Sequence, residues 1–146
     1  MGIFPDSYGS RNTTTTNVTA TNTTPPLLKE YAVNFDTGQI AVDENGKFTI
    51  VTGIDAIEVR CWLALDIQRN RFIIYPSGIG NNLKSLLGKG ISYTNKNIQS
   101  LLDEALVDNV YILSVTNISV VQTDSTGTIT FTVNSIYGST TQTATY

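Results

Sequence analysis

A chain of 146 residues, 40% apolar and 14% charged, is long enough to bury a core of its own and too short for two domains. A formal net charge of −3 offers no global attraction to nucleic acid or anionic lipid, and no apolar run reaches the length of a membrane span. The absence of histidine removes the commonest general base and metal ligand and excludes Ser-His-Asp and Cys-His arrangements.

Residues 1–28 stand apart as an extended arm. SRNTTTTNVTATNTTPP has almost no charge and little apolar content, so alone it cannot offset the entropy of ordering. The start, MGIFPDSYGS, lacks the basic and apolar regions of a signal peptide, and a lone Cys61 has no internal disulfide partner; both fit cytoplasmic synthesis. The N-x-[ST] patterns at Asn12, Asn17 and Asn22 read as by-products of the Thr/Asn-rich composition.

From Tyr31 the pattern becomes regular. Tyr31–Phe35 is extended, and Gln39–Val42 and Phe48–Val51 flank Asp43-Glu44-Asn45-Gly46, a hairpin signal. Ile54, Ile57, Cys61, Ala64 and Leu65 share one face of a first helix that starts near Gly53. Trp62 on this helix is expected in the core. Phe72–Tyr75 reads as a short strand closed by Pro76-Ser77-Gly78, and Asn81 or Asn82 is placed to cap a short second helix through Leu87. A third helix is capped by Thr94, carries the stripe Ile98, Leu101, Leu102, Ala105 and Leu106, and ends at Asp108-Asn109.

Two long strands follow, Val110–Gln122 and Thr128–Tyr137. The apolar phase changes near Thr116–Asn117, which predicts a bulge there. The tail, 139–146, is either a frayed end or a strand for a partner to pair with. The expected fold is α+β: a small antiparallel sheet, made of an N-terminal hairpin and a long C-terminal hairpin, packed with three helices.

Little reaction chemistry is legible. Cys61 lies on the apolar stripe, as a buried structural thiol does. Glu58 with Asp55 or Asp66 is the one carboxylate pairing to consider, at a spacing ordinary for a solvated helix face. The glycines at 78, 80, 88 and 90 match neither a Walker loop nor a dinucleotide fingerprint. No metal site, catalytic residue or cofactor is expected. Between Ile67 and Leu102 the charged residues are Arg69, Arg71, Lys84, Lys89 and Lys96, all basic. They form either a solvated face or a docking patch for an acidic partner.

The stretches LKEYAVNF, DENGKF, IQRNRFIIY, YPSGIGNNLKSLLGKG and FTVNSIYG, spread over Leu28–Gly138, resemble the PBSX-type branch of the sheath-initiator and baseplate wedge family of contractile phage tails. Two departures stand out: Gln68 where the family has an acid before its arginine, and Ile79-Gly80 where it has an aromatic-Gly pair. The resemblance implies a structural, non-enzymatic baseplate subunit of a phage tail or tail-like bacteriocin particle, synthesised in the bacterial host cytoplasm and residing in the virion. It implies a sheath-initiator domain over residues 29–138 between the arm and the tail. Implied partners are the tail sheath protein, reached by strand addition, the baseplate wedge proteins, and the central hub, spike or tube, with six copies in the assembly. Implied docking residues are Arg69 and Gly80, with Arg71, Lys84 and Lys89 from the basic stretch. The alternatives are a muralytic, lysozyme-like enzyme with Glu58 as its acid, and a β-rich binding module.

Overall fold

The structure, a computed structural model, describes residues 23–74, 78–124 and 126–146. The Thr-rich stretch of the arm and the Pro76-Ser77 turn therefore lie outside the described residues. The elements in order are β1 (Lys29–Tyr31), β2 (Val33–Asn34), β3 (Gln39–Ile40), β4 (Ile50–Thr52), α1 (Ile54–Asp66), a 3-10 turn (Leu83–Leu86), α2 (Ile91–Leu106), β5 (Ile112–Thr123), β6 (Thr126–Ser135) and β7 (Gly138–Thr145). The class is α+β, as expected, with two corrections. Among the described residues there are two α-helices rather than three, and the N-terminal strands form small sheets of their own instead of joining the C-terminal one.

The missing helix is the 3-10 turn. Four residues lie between Asn82 and Leu87, too few to propagate an i→i−4 ladder, so Ser85 bonds back to Asn82 and Leu87 to Lys84. The strand expected at Phe72–Tyr75 is a turn over its described part, with Ile73 fully exposed. Its apolar composition resembles that of a strand, but no neighbouring strand offers it a ladder. Tyr75 lies outside the described residues.

Both helices follow their apolar stripes. α1 buries Ala56, Ile57, Val59 and Cys61, and enters through Gly53 at φ 62°, where a Cβ would be strained. α2 buries Thr94, Ile98, Leu102 and Leu106. It begins three residues earlier than Thr94, because Gly90 carries the entry: both Tyr93 and Thr94 N–H groups bond to its carbonyl. Thr94 sits four residues before Ile98 on the buried stripe, which puts its side chain inside rather than at a cap.

The C-terminal sheet has strand order β5-β6-β7, antiparallel throughout. β6 is central, with Ile129, Phe131 and Val133 fully buried against α1 and α2 and threonines alternating on the other face. The bulge lies where the phase change puts it. Thr116 pairs with Thr132 but Ser119 with Thr130, and Asn117 takes φ 52°. The tail is β7, paired with β6 from Thr145↔Thr128 to Gly138↔Ser135.

The N-terminal strands make a three-way junction. β1 pairs with β4 as a stem, β2 with β3 as one arm, and Val42 bridges Phe48 as a second arm. At the centre the amides close a ring: Ala32 N donates to Thr49 O, Thr49 N to Ala41 O and Ala41 N to Ala32 O, at 2.8–3.0 Å. Small Ala32 and Ala41 stand where three backbones converge. The expected turn at Asp43–Gly46 caps the second arm, with the Asp43 carboxylate accepting from Asn45 and Lys47 N–H at 2.8 Å each. One face of this trefoil lies on α1. There Trp62, expected in the core, is half-buried, with its ring 5.9 Å from that of Phe35.

Candidate functional site

The exit of α1 is held by a dense set of side-chain and backbone hydrogen bonds. Asn81 is buried, and its amide donates to the carbonyls of Ala64, Leu65 and Ile67, the orphan acceptors of the helix end. Its Oδ1 accepts from Leu83 N and starts the 3-10 turn. A parallel bridge joins Gln68 to Asn81, through Arg69 N to Asn81 O and Asn81 N to Ile67 O, both 2.9 Å. Gly80 sits against this bridge at φ +98°. A Cβ there would lie 2.6 Å from Ile67 O and 2.9 Å from Arg69 N.

Arg69 turns inward from the same break. Its side chain is 10% exposed, its Nη1 pairs with the Glu104 carboxylate, and its Nη2 donates to Glu104 O at 2.9 Å and Gly78 O at 3.4 Å. The acid that Gln68 fails to supply next door comes from the last turns of α2. Arg69 therefore ties the break after α1 to the C-terminal end of α2, where a cation also meets the helix dipole favourably.

A second cluster caps the other side of that helix end. Arg60 pairs with Asp108 at 3.0 Å and Glu30 at 3.5 Å, and lies over the Tyr111 ring at 5.3 Å. One Asp108 oxygen accepts from Val110, Tyr111 and Ile112 N–H at 2.8–2.9 Å. Burial pushes this carboxyl up, but those three backbone donors and Arg60 outweigh it and hold it below its ordinary value of 3.8. A folded-state value below the unfolded one stabilises at pH above about 4, and the contribution disappears as pH falls through the folded value. The deficit of an Asp108→Asn variant should thus be largest at pH 7 and shrink by pH 3, measured as the difference in urea midpoints from the parent chain. A deficit independent of pH would remove the charge from the explanation.

Between the two arginine clusters runs a cleft of about 440 Å³, floored by Leu63, Ala64, Ile67, Ala105 and Ile112 and rimmed by charged groups. Glu58, the acid of the muralytic alternative, is not among its lining residues. It accepts a 2.6 Å hydrogen bond from Thr140 on β7 instead. Cys61 is buried and free, and desolvation pushes its thiol up to about 12, as expected of a structural residue. Among the described residues no cluster of acids or thiols could hold a metal ion, and no helix is long and apolar enough to cross a membrane.

Of the expected docking residues, the fold brings Arg69 and Gly80 together and leaves the others apart. Arg71, Lys84 and Lys89 are exposed, each on a different support: Arg71 over the Phe72 ring, Lys84 on the 3-10 turn, and Lys89 beside Tyr93. Sequence reasoning missed Arg60, Asp108 and Glu104 as a set, because their partners are 30 to 48 residues away, read from Glu30, Arg60 and Asp108. Asn81 was visible only as a candidate cap.

The sheet contributes a different surface. Gly127 and Tyr146 exchange both backbone hydrogen bonds, at 3.1 and 2.9 Å. Following the register from that pair, the N–H groups of Ser139, Thr141, Thr143 and Thr145 point away from β6, along the outer edge of the sheet. β7 carries no charge, proline or bulge, the usual devices that blunt an edge. The opposite edge, β5, is bulged and has a carbonyl taken: Gln99 donates to Val115 O at 3.1 Å.

A family model described as the contractile injection system sheath initiator matches residues 29–138. The chain is also similar to the phage-like element PBSX protein XkdS of Bacillus subtilis (strain 168), with 33% identity over 82 residues. That match covers 53% of this chain and 58% of the relative, so it spans a little over half the length of each.

Proposed function

Because this chain belongs to the contractile injection system sheath initiator family, we propose that it is a structural, non-enzymatic subunit of a contractile tail baseplate, on which the first sheath subunits assemble by adding a strand to β7. The observation that carries this reading is the free β7 edge: a long, uncharged strand with its outward N–H and C=O groups unblocked. Strand addition uses backbone groups, so a Thr-rich strand needs no particular side chains. Several shared backbone bonds, each contributing about 1 kcal/mol net, would hold the sheath to the baseplate while the sheath rearranges.

In the same reading the helical side faces the wedge proteins. Arg71, Lys84 and Lys89 supply exposed positive charge for an acidic wedge surface. Arg69 and Gly80 act one step back, holding the loop that leaves α1 in place. The sheet side faces the sheath, the central hub or tube lies inward, and six copies complete the ring. The docking of Arg69 is indirect here, since its guanidinium is already engaged with Glu104 and Gly78.

Thr141→Pro tests the strand-addition reading. Its N–H points outward, so proline removes a donor from the free edge while leaving the β6–β7 ladder whole. The purified variant should melt close to the parent, and tails assembled with it should carry tubes without sheath, seen by negative-stain microscopy. Normal sheaths on such tails would rule out β7 as the initiating edge.

A further inference from the structure

The face of the N-terminal trefoil that points away from α1 is apolar. Pairing and alternation put Tyr31, Val33, Ile40, Val42, Phe48 and Ile50 together on it. All but half-buried Val33 are 47–60% exposed, and Tyr31 and Phe48 meet edge to face at 5.6 Å. Taking about 200 Å² per large side chain, the patch is roughly 500 Å², at the upper end of what monomers leave uncovered. The ring of hydrogen bonds at Ala32, Ala41 and Thr49 fixes its shape, so binding to it costs little ordering. The tips of its two arms are net acidic: Asp36 on one, Asp43 and Glu44 with Lys47 on the other.

A second exposed apolar element lies in the turn that follows the C-terminal break of α1. Ile73 is fully exposed and Ile74 is 85% exposed, and both follow Arg71 in a stretch without acids from Ile67 to Leu102. An apolar tip with a basic flank complements an apolar face with acidic tips.

We propose that these two surfaces are the halves of one interface, and that the occupant of the trefoil face is the Arg71–Ile74 turn of a second copy of this chain. The two halves are different patches on one molecule, so the contact is head-to-tail. Each copy keeps one half free, and association runs on to a ring or an open chain rather than stopping at a closed dimer. Self-association through this contact does not depend on the sheath reading, and Thr141→Pro leaves it untouched.

Sedimentation of the full chain at concentrations up to about 1 mM tests it, that range covering contacts as weak as 4 kcal/mol. The parent chain should rise above the 15.9 kDa monomer mass and pass beyond a dimer. Phe48→Glu and Ile73→Glu, each at an exposed position, should both be monomeric with parental melting. Mixed, they should form a one-to-one dimer and stop, because the intact turn of the first fits the intact face of the second. Val42→Glu and Ile74→Glu provide a second pair if either protein fails to fold. A parent chain that stays monomeric overturns the proposal and leaves the face to a different protein. Single variants that still associate, or a mixture that stays monomeric, overturn it as well.

Discussion

Gly80→Ala is expected to lower stability by about 3 kcal/mol or more, a drop in Tm on the order of 10 °C for a domain of this size. The added Cβ would stand 2.6 Å from Ile67 O and 2.9 Å from Arg69 N, and both atoms belong to backbone that cannot swing aside. To relieve the clash the chain must give up the Gln68–Asn81 bridge, and with it the cap that Asn81 places on α1. Gly88→Ala is the control. That glycine also has a positive φ, +73°, but nothing lies within 4 Å of its Cβ position, so it should cost only about 1–2 kcal/mol. Equal losses for the two variants would show that backbone conformation alone, and not the close approach, makes Gly80 necessary. On the proposed reading, in which this loop supports wedge docking, the Gly80 variant should weaken that docking along with Arg69→Ala, since both loosen the same loop.

Phe131→Ala should cost about 3–5 kcal/mol, measured as the shift in urea midpoint. Phe131 is fully buried on the central strand, between Ile129 and Val133, and it is the largest fully buried side chain among the described residues. Its removal leaves a cavity that a strand paired on both sides cannot easily collapse. Phe131→Leu keeps most of the volume and should cost about 1.5 kcal/mol or less. A loss under about 1.5 kcal/mol for the alanine variant would mean the core centres elsewhere. The central strand also holds β7 in register, so, on the proposed strand-addition reading, the variant should impair sheath initiation at temperatures where it remains folded.

The two variants probe opposite kinds of legibility. Phe131 was readable because strand alternation is local: Ile129, Phe131 and Val133 against Thr128, Thr130 and Thr132 put it on the buried face before any partner was known. The stripes of α1 and α2 and the bulge at Thr116–Asn117 were readable for the same reason. Gly80 stood out only through resemblance. Its need for a missing Cβ depends on where Ile67 passes, and nothing in the residues from 78 to 82 records that.

The misreadings have one cause. Phe72–Ile74 is apolar enough for a strand, and the residues after Asn82 have the ingredients of a helix. A strand needs a neighbour and a helix needs length, and neither requirement is written in composition. Thr94 looked like a cap because Thr often is one; Gly90 took that place and the stripe drew Thr94 inward.

By itself the sequence determined the periodic elements, the α+β class, the structural burial of Cys61 and the family resemblance over most of the chain. Each of these is a local pattern of apolar spacing or a string of residues. Only the tertiary structure decided that the N-terminal strands close a three-way ring and that Arg69 finds its acid on α2. It likewise decided that the tail is an edge strand whose outward side is left open. Those outcomes rest on hydrogen bonds and ion pairs between residues far apart in the chain, and the energy of such a contact exists only once folding has brought the two ends together.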